Sequence, residues 1–196
     1  MKTILITAFE PFGGSSVNTS AEVLERLPET IAGCRVIRAL LPVVFGKAAE
    51  KALQTQAQYV FLLGEAGGRE TVTPEIRARN LRSARIPDNE GNSPQAQAIL
   101  TGGPDEYRTR IPVDSIVRQM LEEGFSVAVS EDAGTFVCND TYYLVGMNSR
   151  VPVAFVHVPA DPDHADVYAA AVKRFVEIAA GRDRDDKTGY ASGNGG

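Results

Sequence analysis

The stretch Val151-Pro152-Val153-Ala154-Phe155-Val156-His157-Val158 is apolar at nearly every position. A half-exposed strand alternates polar and apolar residues, whereas a strand covered on both faces is apolar throughout. The stretch therefore predicts an inner strand of a sheet with helices on each side. Its one polar residue, His157, falls at the C-terminal end of the run, and Pro159 ends it. In open α/β sheets, sites form at that edge.

Similar short runs recur at Ile4–Thr7, Arg35–Leu40, Tyr59–Leu63 and Ser126–Ser130, separated by amphipathic stretches. Thr19 or Ser20 can cap a helix carrying Val23, Leu24 and Leu27, which stops before Pro28. Gly46–Gln56 is a second candidate. Asp114 reads as the cap of a third, with Ile116, Val117, Met120 and Leu121 on one stripe and Gly124 at its end. Asp163–Ala180 is the longest, with Val167, Ala171, Phe175 and Ile178 facing inward. This alternation predicts an α/β/α sandwich with a largely parallel central sheet, formed as a single domain over residues 1–180. The polar segment 181–196 reads as a disordered tail. Between Val72 and Leu81 the pattern alternates, with Thr73, Glu75, Arg77 and Arg79 on one face of a half-exposed strand or edge arm. Pro87–Pro94 is dense in turn residues.

The 196 residues suffice for one full core, with 43% hydrophobic and 23% charged residues. A net charge of −5 with no basic block argues against general nucleic-acid binding. The N-terminal apolar run is too short for a signal segment and reads as the first strand, and no run is long enough to span a bilayer. Two distant cysteines, Cys34 and Cys138, make no disulfide framework, so the cytosol is the expected compartment. Two histidines and two cysteines at these spacings match no zinc pattern, and no phosphate-binding glycine motif with its lysine is present.

Cys138 follows Ala133-Gly134-Thr135-Phe136-Val137 and precedes Asn139-Asp140-Thr141, which open a helical pattern. A thiol at a helix start meets unpaired backbone N–H groups and the positive end of the helix dipole, which favour a thiolate and can hold an oxyanion. His157 is the better-placed base; His164, in Asp161-Pro162-Asp163-His164, reads as a solvated surface residue. Periodicity alone leaves two alternatives open: a catalytic Cys138–His157 pair, or a packed cysteine and histidine. Glu75 alone reads as a solvated carboxylate.

Six blocks add specificity: Thr7–Gly14 (T-A-F-E-P-F-G-G) with Asn18 beyond it, Leu41–Phe45, Gly64–Arg69 (G-E-A-G-G-R), Ala84–Gly91, Ser130–Asn139 and Phe155–Pro159. In this order the chain resembles the pyrrolidone-carboxylate peptidases, also called pyroglutamyl-peptidase I. The resemblance implies a cytosolic cysteine peptidase without a cofactor, acting on peptides with N-terminal pyroglutamate and forming a homo-oligomer, often a tetramer. It implies a Cys138–His157–Glu75 triad, with Phe9, Phe12, Ile86, Phe136 and Val137 around the ring. Asn18 would meet the lactam carbonyl and the Glu65 backbone the lactam N–H, while Arg85 would lie near the cysteine. Two departures stand out. Glu65 replaces a more usual glutamine, and Arg77 and Arg79 fall on the predicted strand face of Glu75, where they either compete for its carboxylate or are turned away by a local twist. A related amidohydrolase acting on another acyl group, and a non-catalytic binder of pyroglutamyl peptides, are the alternative readings.

Overall fold

The computed structural model describes residues 1–188, with no side-chain detail beyond 181. The described residues form eight strands: β1 (Thr3–Phe9), β2 (Thr30–Ile31), β3 (Cys34–Leu41), β4 (Tyr59–Ala66), β5 (Thr73–Glu75), β6 (Arg77–Arg79), β7 (Glu106–Arg108) and β8 (Val153–Pro159). The helices are α1 (Thr19–Arg26), α2 (Lys47–Leu53), α3 (Val113–Glu122), α4 (Val137–Asn148) and α5 (Ala165–Thr188). Six strands form one sheet in the order β2-β3-β1-β4-β8-β5, and β6 pairs with β7 in a separate ribbon. The inner pairs β3/β1, β1/β4 and β4/β8 are parallel, and the outer strands β2 and β5 are antiparallel to their neighbours.

Every residue of β8 is buried, as its unbroken apolar run requires. Side chains alternate between two cores. Ile4, Ile6, Phe61, Leu63, Ala154 and Val156 pack with α1, α3 and α5; Leu5, Phe9, Val60, Leu62, Val153 and Phe155 pack with α2 and α4. This is the expected α/β/α sandwich. The parity has a consequence for chemistry: His157 and Gly64 lie on the same sheet face as Phe155 and Leu62, toward α4.

Several elements differ from the sequence reading. Ser126–Ser130 makes only isolated parallel bridges, Val127 to Val72 and Ser130 to Glu75. Ala128 and Ser130 donate to the carbonyls of Val72 and Pro74, and Ile76 donates to Ser130, but Pro74 has no N–H for the bond that would join them. The Val72–Leu81 arm is broken at Ile76 into β5 and β6. α3 is capped by Pro112, with Asp114 in its first turn rather than at the cap. Asn18, not Thr19 or Ser20, caps α1, its Oδ1 accepting from Ser20 N–H at 3.0 Å. Val167 is 61% exposed, because the buried stripe of α5 runs through Ala165, Ala169, Val172 and Val176 with Phe175. Residues 181–188, assigned to a disordered tail, continue α5 as helix; extending an existing helix costs far less than nucleating one. The rest of that tail lies outside the described residues.

Candidate active site

The register of β5 against β8 builds the first half of the site. Thr73 faces His157 and Glu75 faces Phe155, so Glu75 and His157 are diagonal neighbours on one sheet face. His157 Nδ1 and Glu75 Oε1 are 2.7 Å apart, with Glu75 fully buried and His157 nearly so. An ionised carboxylate only accepts, so Nδ1 carries the hydrogen, and in the neutral ring Nε2 is the atom with the free lone pair. The imidazole packs against Phe155, ring centroids 4.7 Å apart, and Tyr142 Oη donates to the Glu75 backbone carbonyl at 3.0 Å.

The second half comes from α4. Gly134, with φ of 80°, turns the chain, and Phe136 caps the helix, so that Cys138 lies in its first turn. Asn139 anchors this end, receiving the Arg79 N–H and donating to the carbonyls of Arg79 and Leu81. Cys138 comes to lie over Gly64, the residue paired with His157 in β4. A Cβ at Gly64 would stand 2.8 Å from the sulfur and 2.6 Å from the Phe155 ring. Glycine is the residue that lets thiol and sheet approach this closely.

Cys138 and His157 both line a cavity of about 300 Å³, shared with Phe9, Phe12, Asn18, Glu65, Arg85, Phe136 and Val137. That volume is at the small end of ligand sites. Ile86 lies apart from it. It borders an adjoining cleft with Phe12, Arg85 and Phe136, because its side chain turns outward and is 44% exposed. Phe136 is flanked by Phe12 at 6.0 Å and by Phe45, edge-on, at 5.3 Å, which fixes the aromatic wall. Asn18 Nδ2 gives one bond to the Glu10 carbonyl at 3.1 Å, which leaves its second hydrogen for a ligand. The Glu65 carboxylate points to the start of α1 and accepts from Thr19 N–H at 2.5 Å, where the helix dipole favours an anion. The Pro87–Pro94 loop gives no residue to the lining of this cavity; it is gathered around buried Asp88, which accepts from the backbone N–H groups of Phe45, Glu90 and Asn92.

Burial pushes the Cys138 thiol up to about 12, with the charges of Glu75 and Glu65 adding to the effect. The helix start was expected to favour a thiolate; desolvation outweighs it, and the resting group is S–H. An adjacent base is therefore required for any nucleophilic role.

Arg77 and Arg79 do not reach Glu75. The break at Ile76 sends Arg77 to Glu106 (2.7 Å) and Arg79 to Asp132 (2.9 Å). The guanidinium that does meet Glu75 is Arg69, at 3.0 Å. Sequence reasoning placed Arg69 in a motif but gave it no partner, since the contact depends on how the turn after β4 folds over β5. Val43, Ala133 and Gly134 also line the cavity and had no sequence signal beyond membership of motif blocks.

A family model described as pyroglutamyl peptidase matches residues 2–172. The chain belongs to the pyroglutamyl peptidase family. It is 41% identical over 169 residues to the pyrrolidone-carboxylate peptidase of Enterococcus faecalis, covering 82% of this chain and 79% of that one. The Bacillus velezensis pyrrolidone-carboxylate peptidase is 36% identical over 208 residues, with 96% and 97% covered. Among solved structures, pyroglutamyl peptidase I from Bacillus amyloliquefaciens superimposes with a TM-score of 0.85 at 37% identity, over 91% of this chain and 95% of that one. Family membership thus agrees with a fold whose sheet edge carries a cysteine, a histidine and a buried carboxylate.

Proposed function

We propose that this chain is a cysteine peptidase that removes N-terminal pyroglutamyl residues from peptides, with Cys138 as nucleophile, His157 as base and Glu75 as its orienting partner. Residues 1–180 act as one catalytic domain. The observation that carries the reading is the buried 2.7 Å contact between Glu75 and His157 on the wall of the cavity that also holds Cys138.

The pyroglutamyl ring enters between Phe9, Phe12, Phe136 and Val137, with Ile86 at the outer margin. A flat, neutral lactam suits aromatic faces with few polar partners. The free Asn18 Nδ2 hydrogen meets the lactam carbonyl, and the Glu65 backbone carbonyl takes the lactam N–H. The Glu65 charge is already used at the start of α1, so an ordinary N-terminal ammonium finds no dedicated partner and is disfavoured.

His157 Nε2 takes the thiol proton as Cys138 Sγ bonds to the pyroglutamyl carbonyl carbon. Backbone N–H groups at the start of α4, assisted by Arg85, hold the oxyanion. The imidazolium, stabilised by Glu75, then gives its proton to the leaving amine as the C–N bond breaks, leaving a thioester. Water, deprotonated by His157, attacks the thioester; the C–S bond breaks, pyroglutamate departs and the thiol is restored. The chain supplies the nucleophile, the base and its orienting carboxylate, water completes the hydrolysis, and no cofactor enters the scheme. We assign the protein to the cytoplasm and to a homo-oligomer, a tetramer by resemblance.

The test is release of fluorophore from a pyroglutamyl-linked amide by the wild type and by Cys138→Ala. Cleavage by the wild type alone is expected. No cleavage by folded wild type contradicts the proposal.

A further inference from the structure

Two donors converge on one oxygen of Glu75. Oε1 receives His157 Nδ1 at 2.7 Å and an Arg69 Nη at 3.0 Å, while Oε2 is buried with no hydrogen-bond partner. The same Arg69 nitrogen donates to the Asp132 carbonyl at 2.9 Å, and its other Nη to Thr73 Oγ1 at 3.1 Å. Arg69 thus ties β5, which carries Glu75, to the loop that leads into Cys138. With 27% of its side chain exposed, it lies at the cavity rim rather than beneath it.

We infer that Arg69 is a positioning residue of the reaction: it balances the Glu75 charge in the resting site, so that His157 remains a neutral base until the thiol proton arrives. This rests on the assignment of His157 and Cys138 given above. Charge is costly to leave unbalanced around the buried Glu75 and His157 side chains. With Arg69 present, the guanidinium and carboxylate cancel, and His157 and the Cys138 thiol are both neutral. Attack creates an imidazolium and an oxyanion together, so the sum over these four residues and the bound carbonyl is again zero. Without Arg69, the resting site carries one uncompensated negative charge next to the imidazole, and taking up a proton from solvent is the simplest way to cancel it. A histidine protonated in advance is no base. The raised thiol is consistent with this resting state, because a sulfhydryl needs no cation beside it.

The other groups around the imidazole do not supply the missing charge. From α4 come the Cys138 thiol and the Tyr142 hydroxyl, both neutral; from β4 comes Glu65, which adds negative charge; from the loop before α4 comes Asp132, paired with Arg79. Arg85, which also lines the cavity, is exposed and has no ion-pair partner among the described residues, so solvent screens it.

The experiment compares wild type, Arg69→Met and Arg69→Lys. The pH dependence of kcat/KM is read on the pyroglutamyl amide, and the His157 ring is followed by NMR without substrate. His164→Gln serves as background, because the chain has only two histidines. In R69M the acid limb and the ring's protonation curve are both expected to move to higher pH, by about 1 unit, and R69K should return both close to wild type. An R69M plateau that falls while limb and curve stay in place overturns the inference and leaves Arg69 a structural tie. The same holds if R69K behaves as R69M does. Should wild type fail to cleave the amide, the assigned reaction is wrong, and the ring's curve still decides whether Arg69 governs its proton. If R69M does not fold, an R69K curve displaced from wild type by as much as 1 unit overturns the inference, and one that coincides supports it.

Discussion

Each of the two histidines presents Nδ1 to a carboxylate, and there the likeness ends. His157 meets Glu75 at 2.7 Å with both side chains almost wholly buried; His164 meets Asp161 at 2.6 Å with 64% and 39% of the side chains exposed. The distances would not separate them. What separates them is place: one pair lies at the C-terminal end of an inner strand beside a cavity and a thiol, the other on a surface turn where solvent screens it. A carboxylate–histidine contact becomes a candidate for catalysis only where burial holds it in one geometry and a nucleophile shares the space.

The largest expected contrast comes from removing each ring. His157→Ala should lower kcat on a pyroglutamyl amide by on the order of 10⁴-fold or more, the scale seen when a triad base is lost, while His164→Ala should stay within about twofold, a surface change. Steady-state kinetics on the two variants measures this; equal losses would erase the distinction. Next come the carboxylates. Glu75→Gln keeps the shape but can hold the wrong tautomer, so a loss of roughly 10²- to 10⁴-fold in kcat is expected, whereas Asp161→Asn should leave kcat nearly unchanged.

A smaller effect concerns the floor of the site. Gly64→Ala places a methyl 2.6 Å from Phe155 and 2.8 Å from Cys138 Sγ, and overpacking of this kind costs about 1–3 kcal/mol. Gly67→Ala, with nothing within 4 Å, is the control. Denaturant unfolding of both variants gives the difference. The smallest effect is the contribution of the thiol to alkaline stability. Its folded-state pKa is raised from 9.0 to about 12, so the protonated form is favoured by folding. That stabilisation is whole below the unfolded-state value and is lost as pH rises through the folded one. Thermal unfolding should therefore show a shallower loss of stability above about pH 9 in Cys138→Ala than in wild type. Parallel curves would show that the sulfur is not desolvated.

The inner strands were legible because burial on two faces leaves an unmistakable composition, as in Ile4–Thr7 and Val153–Val158. Cys138 at a helix start and His157 at a strand end could also be read, since both follow from local pattern. Less could be known of Ser126–Ser130, whose pairing depends on whether a distant partner can donate, and Pro74 cannot. Glu75 looked like a surface carboxylate because alternation cannot reveal that β8 and α4 enclose that edge. The fate of Arg77 and Arg79 turned on the break at Ile76, and the link from Arg69 to Glu75 on a fold of the turn between β4 and β5. In each case the deciding partner was far away or the backbone bent where propensity gave no warning.

The most direct measurement treats the protein with a pyroglutamyl chloromethyl ketone and locates the label by peptide mass spectrometry. The account predicts one acylmethyl group on the peptide bearing Cys138, none on buried Cys34, and no labelling at Cys138 in His157→Ala on the same timescale. A folded protein whose Cys138 stays free, or which reacts there equally well without its imidazole, would contradict it.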